Sequence, residues 1–246
     1  MAATTAQTVG NLLTAVATRD LRRLEQMLAP TCAWQNMPHP PAAGRVQVIA
    51  MLAPILCWSD EVRWDVISAA YEGNTAWVER ADRFWIDGEE HTVLCNGVIT
   101  VDPDSGTVAS VRDYVDLGEW RARLAPVFER LSARPAVEVV ARHLRAVDRR
   151  DSIAMAADYA LDAVLTRSTD AHRGWFRIAD YFRTVPERLG ATTLECSAPQ
   201  LLPSGEVSVE WAISKDGTTT VTGTDIYRVE RGCITHQAVG LHGPDF

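Results

Sequence analysis

Two stretches of this sequence place charged side chains on strand faces that are otherwise apolar. Side chains along a strand alternate between two faces. Over residues 75–86 one face carries Thr75, Trp77, Glu79, Ala81, Arg83 and Trp85. The other carries Ala76, Val78, Arg80, Asp82, Phe84 and Ile86, so Arg80 and Asp82 interrupt an apolar row. Over residues 108–117 the row Val108, Ser110, Arg112, Tyr114 and Asp116 reads as solvated, and Asp113 interrupts the row Ala109, Val111, Val115 and Leu117. An unpaired buried charge costs on the order of several kcal/mol. Two acids and one arginine on inward rows of neighbouring strands satisfy one another. A purely structural ion-pair network is the competing reading. Charges that break the rows facing a pocket favour the functional one.

The chemistry available to Asp82, Arg80 and Asp113 follows from their summed charge. With both acids ionised the triad is negative, and with one proton retained it is neutral. A low dielectric favours the second state, one carboxylate and one carboxylic acid sharing a guanidinium. That is a general base beside a general acid. It suits activation of water and protonation of a leaving oxygen in one step, with no metal and no covalent intermediate. Epoxide opening is such a reaction.

The elements that must hold these residues come twice. Residues 7–29 carry helical periodicity, broken near Arg19 and Asp20, followed by a short strand over 33–36, a Pro- and Gly-rich loop and a helix over 46–57. Four alternating runs follow, with turns at Glu72-Gly73-Asn74, Asp87-Gly88 and 102–106. The same order returns. Helices are expected over 135–148 and 152–159, a strand over 162–167, a Gly174 turn matching Gly44, a helix over 176–188, and four more runs. Each half therefore reads as an α+β unit, helices first and then an antiparallel meander. A bent sheet with helices across its concave face makes a cone around a pocket. The expected division is residues 1–131 and 132–246.

Composition narrows the function classes. The chain has 246 residues, 24 basic and 32 acidic side chains, a net charge of −8, and 47% apolar residues. That is globular composition, and the negative charge argues against nucleic acid or an anionic membrane as a partner. No run approaches the roughly 20 apolar residues of a bilayer span, and the first residues lack a signal-peptide pattern. The expectation is a soluble, cytoplasmic protein. Five cysteines without a CxxC pair suggest neither a disulfide framework nor a zinc site. No phosphate loop or Ser-His-Asp order is present. Neither a cofactor nor a metal is expected.

Three segments then share one resemblance. Trp34-Gln35-Asn36-Met37-Pro38, Glu79-Arg80-Ala81-Asp82 and Arg112-Asp113-Tyr114-Val115-Asp116-Leu117 resemble, in order and spacing, the water-site segment and two catalytic strands of limonene epoxide hydrolases. The resemblance covers about residues 8–128. It implies an NTF2-like, or SnoaL-like, cone. It also implies roles: Asp113 as the base, Asp82 as the acid, Arg80 as the bridge, and Asn36 as a holder of the water. Two positions depart. The family has tyrosine where this chain has Trp34, and tryptophan where it has Val111. An indole only donates, so the water would lose an acceptor, and Val111 would leave a gap beside Asp113.

In the second half, aligning the turns puts Trp211 at the place of Arg80, Ile213 at Asp82, Val239 at Asp113 and Arg167 at Asn36. The triad is absent there, which suggests a degenerate SnoaL-like domain. Asp225 reads as an acid satisfied by neighbours, and Asp170, His172, His236, His39 and His91 as loop or surface residues. The expected function is cofactor-free hydrolysis of an apolar epoxide. The rivals are an epoxide-opening cyclase of natural-product biosynthesis, a non-catalytic small-molecule binder, and an isomerase on the same fold. Trp77 and Trp85, on the outward row, suggest that the domains pair as an internal pseudo-dimer or that the chain forms a homodimer.

Overall fold

A computed structural model describes residues 4–168 and 170–242. The chain divides into two compact units, Met1–Val127 and Phe128–Phe246. Both are α+β, each a mixed, mostly antiparallel sheet with helices laid on it. Among the described residues no helix is long and apolar enough to cross a membrane.

In the first unit α1 (Thr5–Ala17) starts at a capping box formed by Thr4 and Gln7. The chain reverses at Arg19, in the left-handed region at φ 56°, and α2 (Leu21–Met27) begins under an Asp20 cap. Next come β1 (Leu28–Asn36), β2 (Ala42–Ala43) and α3 (Arg45–Trp58), then β3 (Glu61–Glu72), β4 (Thr75–Ile86), β5 (Glu89–Val101), β6 (Val108–Val115) and α4 (Leu117–Ser132). The sheet order is β2-β1-β6-β5-β4-β3, with β1 parallel to β6 and the other pairs antiparallel. Leu12, Val16, Leu21, Leu24, Leu56, Ile86, Ile99 and Val108 are buried where the helices meet the sheet.

The second unit repeats the plan. It runs α5 (Ala136–Asp148), α6 (Ser152–Ala157), β7 (Tyr159–Arg167), β8 (Asp170–Arg173), α7 (Trp175–Leu189), β9 (Thr193–Cys196), β10 (Gln200–Leu201), β11 (Val207–Lys215), β12 (Thr218–Glu230) and β13 (Cys233–Leu241). Its order is β10-β11-β12-β13-β7-β8, with β9 also on β11 and β13 parallel to β7. Arg150 takes the left-handed place of Arg19, again at φ 56°. Each arginine reaches across its own unit to backbone carbonyls, Arg19 to Ser59 at 2.6 Å and Arg150 to Thr192 at 2.7 Å.

Four expectations shift. The strand expected at 33–36 starts at Leu28, because a register irregularity between Leu28 and Ala33 lets one strand follow β6 throughout. The helix expected over 152–159 ends at Ala157, and Tyr159 opens β7. The run after α7 is split into β9 and β10 around Pro199, which has no N–H for a ladder. Val108, expected on the solvated face, is fully buried because a bulge at Ala109 shifts the ladder between Val108 and Ser110.

The loop before each sheet-covering helix depends on glycine. Gly44 (φ 87°, ψ 146°) precedes α3 and Gly174 (φ 83°, ψ 151°) precedes α7. Each donates its N–H at 2.8 Å to its own unit's first long strand, Gly44 to Cys32 and Gly174 to Ala163. These angles lie near a region almost confined to glycine. Alanine at either place should therefore cost about 1–3 kcal/mol of unfolding free energy. Denaturant titration of Gly44→Ala and Gly174→Ala checks this, and a loss below about 0.5 kcal/mol would show that the turn tolerates a side chain.

Candidate active site

Adjacent strands β4, β5 and β6 bring the three charged residues together. Arg80 pairs with Cys95 on β5, and Gly97 on β5 pairs with Asp113 on β6. All three side chains are buried, with Arg80 only 1% exposed. Arg80 Nε donates to Asp82 Oδ1 at 2.7 Å, and Arg80 Nη2 contacts Asp113 Oδ2 at 3.0 Å. One planar guanidinium thus spans both acids, using the fork that distinguishes arginine from lysine.

Gly97 makes that span sterically allowed. A Cβ there would stand 2.3 Å from Arg80 Nη1 and 2.8 Å from Asp113 Oδ1. The central strand must present a bare backbone where the guanidinium crosses it.

Two indoles complete the cage. Trp34 on β1 donates its Nε1–H to Asp113 Oδ2 at 2.9 Å. Trp64 on β3 lies over the guanidinium at 4.3 Å and meets Trp34 edge-on at 6.1 Å. Asp113 Oδ2 therefore faces two donors. Asp113 Oδ1 is buried with no hydrogen-bond partner among the described residues.

The electrostatics single out Asp82. Burial raises the Asp82 carboxyl to about 7, against the pull of Arg80, and the Asp113 charge adds to the rise. Burial alone would lower Arg80, but the charges of Asp113 and then Asp82 hold it above its ordinary value, so it stays a cation. Burial, followed by the Asp113 charge, pushes the Cys95 thiol up and keeps it neutral. Near neutrality Asp82 thus retains a proton for much of the time.

Both carboxylates line a cavity of about 60 Å³, with Asn36, Trp34, Trp64 and an apolar wall that includes Phe84 and Trp120. Phe84 and Trp120, the latter from α4, meet edge-on at 6.0 Å. Arg80 is not part of the lining. It acts from behind by fixing the two acids. Asn36 sits directly opposite Asp113 in the parallel β1–β6 pair, and Met37 N–H donates to the Asp113 carbonyl at 2.8 Å.

Trp34 lines the cavity, and its N–H is held by Asp113. The structure corrects one sequence expectation about the water site. Val111 opens no gap beside Asp113. It is 1% exposed, pairs with Trp34 and Ile99, and does not line the cavity. Trp64 was not among the expected site residues. Counting back from the Gly73 turn puts Asp65 opposite Asp82. A bulge at Ile67 shifts the ladder by one, so Trp64 pairs with Asp82 instead. His39 is exposed, as are Asp170 and His236, and none of these lines either cavity described for the two units. Among the described residues no three His, Cys, Asp or Glu side chains cluster as a metal site would require.

The strand ladders also compare the two units residue by residue. Arg167 pairs with Val239 as Asn36 pairs with Asp113, Trp211 with Gly223 as Arg80 with Cys95, and Asp225 with Val239 as Gly97 with Asp113. The second unit has no Asp-Arg-Asp set at the matching positions.

The sequence matches the SnoaL-like domain family over residues 9–122 and 140–237. Solved structures match one unit's length at a time. One is a candidate SnoaL-like polyketide cyclase from Shewanella denitrificans OS-217, at 11% identity and TM-score 0.44, covering 50% of this chain and 97% of that one. A protein with a ketosteroid isomerase-like fold from Catenulispora acidiphila DSM 44928, in complex with trimethylamine, matches at 18% and 0.43, over 50% and 95%. An LEH-like epoxide hydrolase from M. tuberculosis matches at 18% and 0.41, over 52% and 94%. No curated protein matches the chain.

Two substitutions probe the cage. Arg80→Lys should lower the melting temperature by several degrees, since a buried ammonium cannot span both acids and one is left poorly paired. Gly97→Ala should be as damaging, because the 2.3 Å approach forces the guanidinium off its position. Wild-type melting of either variant would place the fork elsewhere.

Proposed function

The chain belongs to the SnoaL-like domain family, and we propose that its first unit opens an apolar epoxide with water, by general acid–base catalysis and without a cofactor. One observation carries this reading. Asp113 lines the cavity and keeps one buried oxygen without a hydrogen-bond partner among the described residues, while its other oxygen is clamped by Trp34 and Arg80. Burying such an acceptor costs about 1–3 kcal/mol unless something donates to it. A water held between Asp113 Oδ1 and Asn36 supplies that donor.

The step balances with the groups in place. Asp113 takes one proton of the water as its oxygen attacks an epoxide carbon. The carbon–oxygen bond breaks, and the electron pair goes to the ring oxygen. Asp82, protonated near neutral pH, delivers its proton there. The product is a diol. Asp113 ends protonated and Asp82 ionised, and exchange with solvent resets them. Arg80 is a positioning residue, because it holds both acids without lining the cavity. The apolar wall of Phe84, Trp120, Leu52 and Ile55 selects an apolar substrate.

A second reading rests on Trp34. Its N–H is engaged by Asp113, so a water has few protein partners in the cavity, and a hydroxyl of the substrate itself would fit the same place. The outcome would be a cyclic ether. Turnover of an epoxide panel in heavy-oxygen water separates the two, since only hydrolysis puts the label into a diol. No turnover of any epoxide would leave a non-catalytic binding protein.

Asp113→Asn and Asp82→Asn should each lower turnover by about 100-fold or more. Their combined loss should fall well short of the product, because they serve one transition state. Above about pH 7 activity should fall as Asp82 loses its proton. The same raised group binds a proton in the folded state that the unfolded chain has already lost. Stability should therefore decline as pH rises from the ordinary carboxylate range to about 7, less steeply in Asp82→Asn. Either variant retaining half its activity would overturn the mechanism.

A further inference from the structure

The second unit has its own cavity, of about 90 Å³, and its polar floor is more completely built than a degenerate domain requires. Asp225 on β12 lies on that floor and is 7% exposed. Trp211 Nε1 donates to Asp225 Oδ1 at 2.7 Å. Gln237 Nε2 donates to Asp225 Oδ2 at 2.6 Å, and the Tyr227 hydroxyl donates to the same oxygen at 3.1 Å. Tyr159 donates to Gln237 Oε1, which fixes the orientation of the amide.

This network rebuilds the first unit's indole–carboxylate pair from different strands. Trp34 and Asp113 stand on β1 and β6, whereas Trp211 and Asp225 stand on β11 and β12. Asp225 occupies the register position of Gly97. The bare backbone has moved to Gly223, where a Cβ would stand 2.2 Å from Trp211 Cζ2. Glycine, indole and acid have changed places together, and the result is again a caged carboxylate at a cavity.

The floor's donors are engaged, so its unfilled capacity lies in acceptors. Asp225 Oδ1 takes one donor and a carboxylate oxygen has room for two. His143, buried in the wall, is lowered to about 4 by burial and is therefore neutral. Its Nδ1 lies 3.0 Å from the Met155 carbonyl, which makes Nδ1 the protonated nitrogen and Nε2 an acceptor. The remaining wall is apolar, with Leu144, Phe182, Ile213 and Val239. At its edge the exposed Arg188 lies over the Tyr181 ring at 5.8 Å, which disfavours a cation. Burial raises the Asp225 carboxyl against the hydrogen bonds of Trp211, then Gln237 and Tyr227, and it is these three donors on its two oxygens that mark it as an acceptor.

We propose that the second unit's cavity is a ligand site of its own, for a neutral apolar molecule that presents a hydroxyl to Asp225. The site stands independently of epoxide chemistry in the first unit.

The test uses the full chain, titrated calorimetrically with 4-ethylphenol, ethylbenzene and 4-ethylbenzylammonium. The phenol should bind about 10-fold or more tighter than ethylbenzene, the usual scale of one hydrogen bond to a charged group. It should also move the indole N–H resonance of Trp211 and the side-chain amide of Gln237. Asp225→Asn should erase the preference. Val239→Phe, which narrows the cavity beside Asp225 without replacing a member of its hydrogen-bond set, should abolish binding and settles the matter if Asp225→Asn fails to fold. Asp113→Asn should leave phenol binding unchanged while removing any epoxide turnover, so the two sites are read separately. Equal binding of ethylbenzene, tighter binding of the ammonium, or unaltered phenol binding in Val239→Phe would overturn the proposal.

Discussion

The first unit is organised around one buried guanidinium. Arg80 is charged and almost fully buried, and the two carboxylates on its edges compensate that buried charge. Everything nearby follows from that demand. β4, β5 and β6 must be in a register that brings residues 80, 97 and 113 side by side. β5 must be bare at Gly97. The face of the guanidinium is covered by the flat Trp64 ring, whose own Nε1–H is buried without a hydrogen-bond partner among the described residues. A buried ion pair is rarely a net stabiliser compared with apolar packing. Buried charges of this kind beside a cavity are what the proposed function rests on.

Much of this was legible in the sequence because strand alternation is strict. Arg80, Asp82 and Asp113 each interrupt an apolar row, and period-two counting from the turns finds them. The same counting equates Arg167, Trp211 and Val239 with Asn36, Arg80 and Asp113, and the ladders pair them in that way. Counting fails where a strand gains a residue. The bulge at Ile67 brings Trp64 opposite Asp82, and the one at Ala109 buries Val108. Bulges arise from sheet curvature, a property of the whole sheet that no local run of residues encodes. Hydrogen-bond partners were also hidden. That the Trp34 indole donates to Asp113 depends on side chains 79 residues apart, and Trp211 and Gln237 reach Asp225 from 14 and 12 residues away, with Tyr227 two residues away as the near donor.

The two units show how one ladder supports different polar arrangements. The backbone devices are shared: an arginine at φ 56° between the first two helices, and a glycine before the helix that covers the sheet. The cavity floors are not shared. One carries two acids joined by a cation, and the other a single acid held by an indole, a phenol and an amide. The scaffold sets where a polar group can reach the cavity, and the side chains at those positions decide what the cavity can do.

The bare central strand has a consequence for how such floors change over generations. With Arg80 in place, any side chain at residue 97 meets the guanidinium at 2.3 Å, and with Trp211 in place any side chain at residue 223 meets the indole at 2.2 Å. At residue 97 a lineage must therefore shorten the flat side chain before it fills the glycine, whereas a side chain at residue 223 would also meet the Gly240 carbonyl at 2.3 Å. The reverse order passes through a clashing intermediate. The order of substitutions is thus constrained by residues on neighbouring strands, and the exchange is epistatic over three register positions, 80 with 211, 95 with 223 and 97 with 225, which must change together.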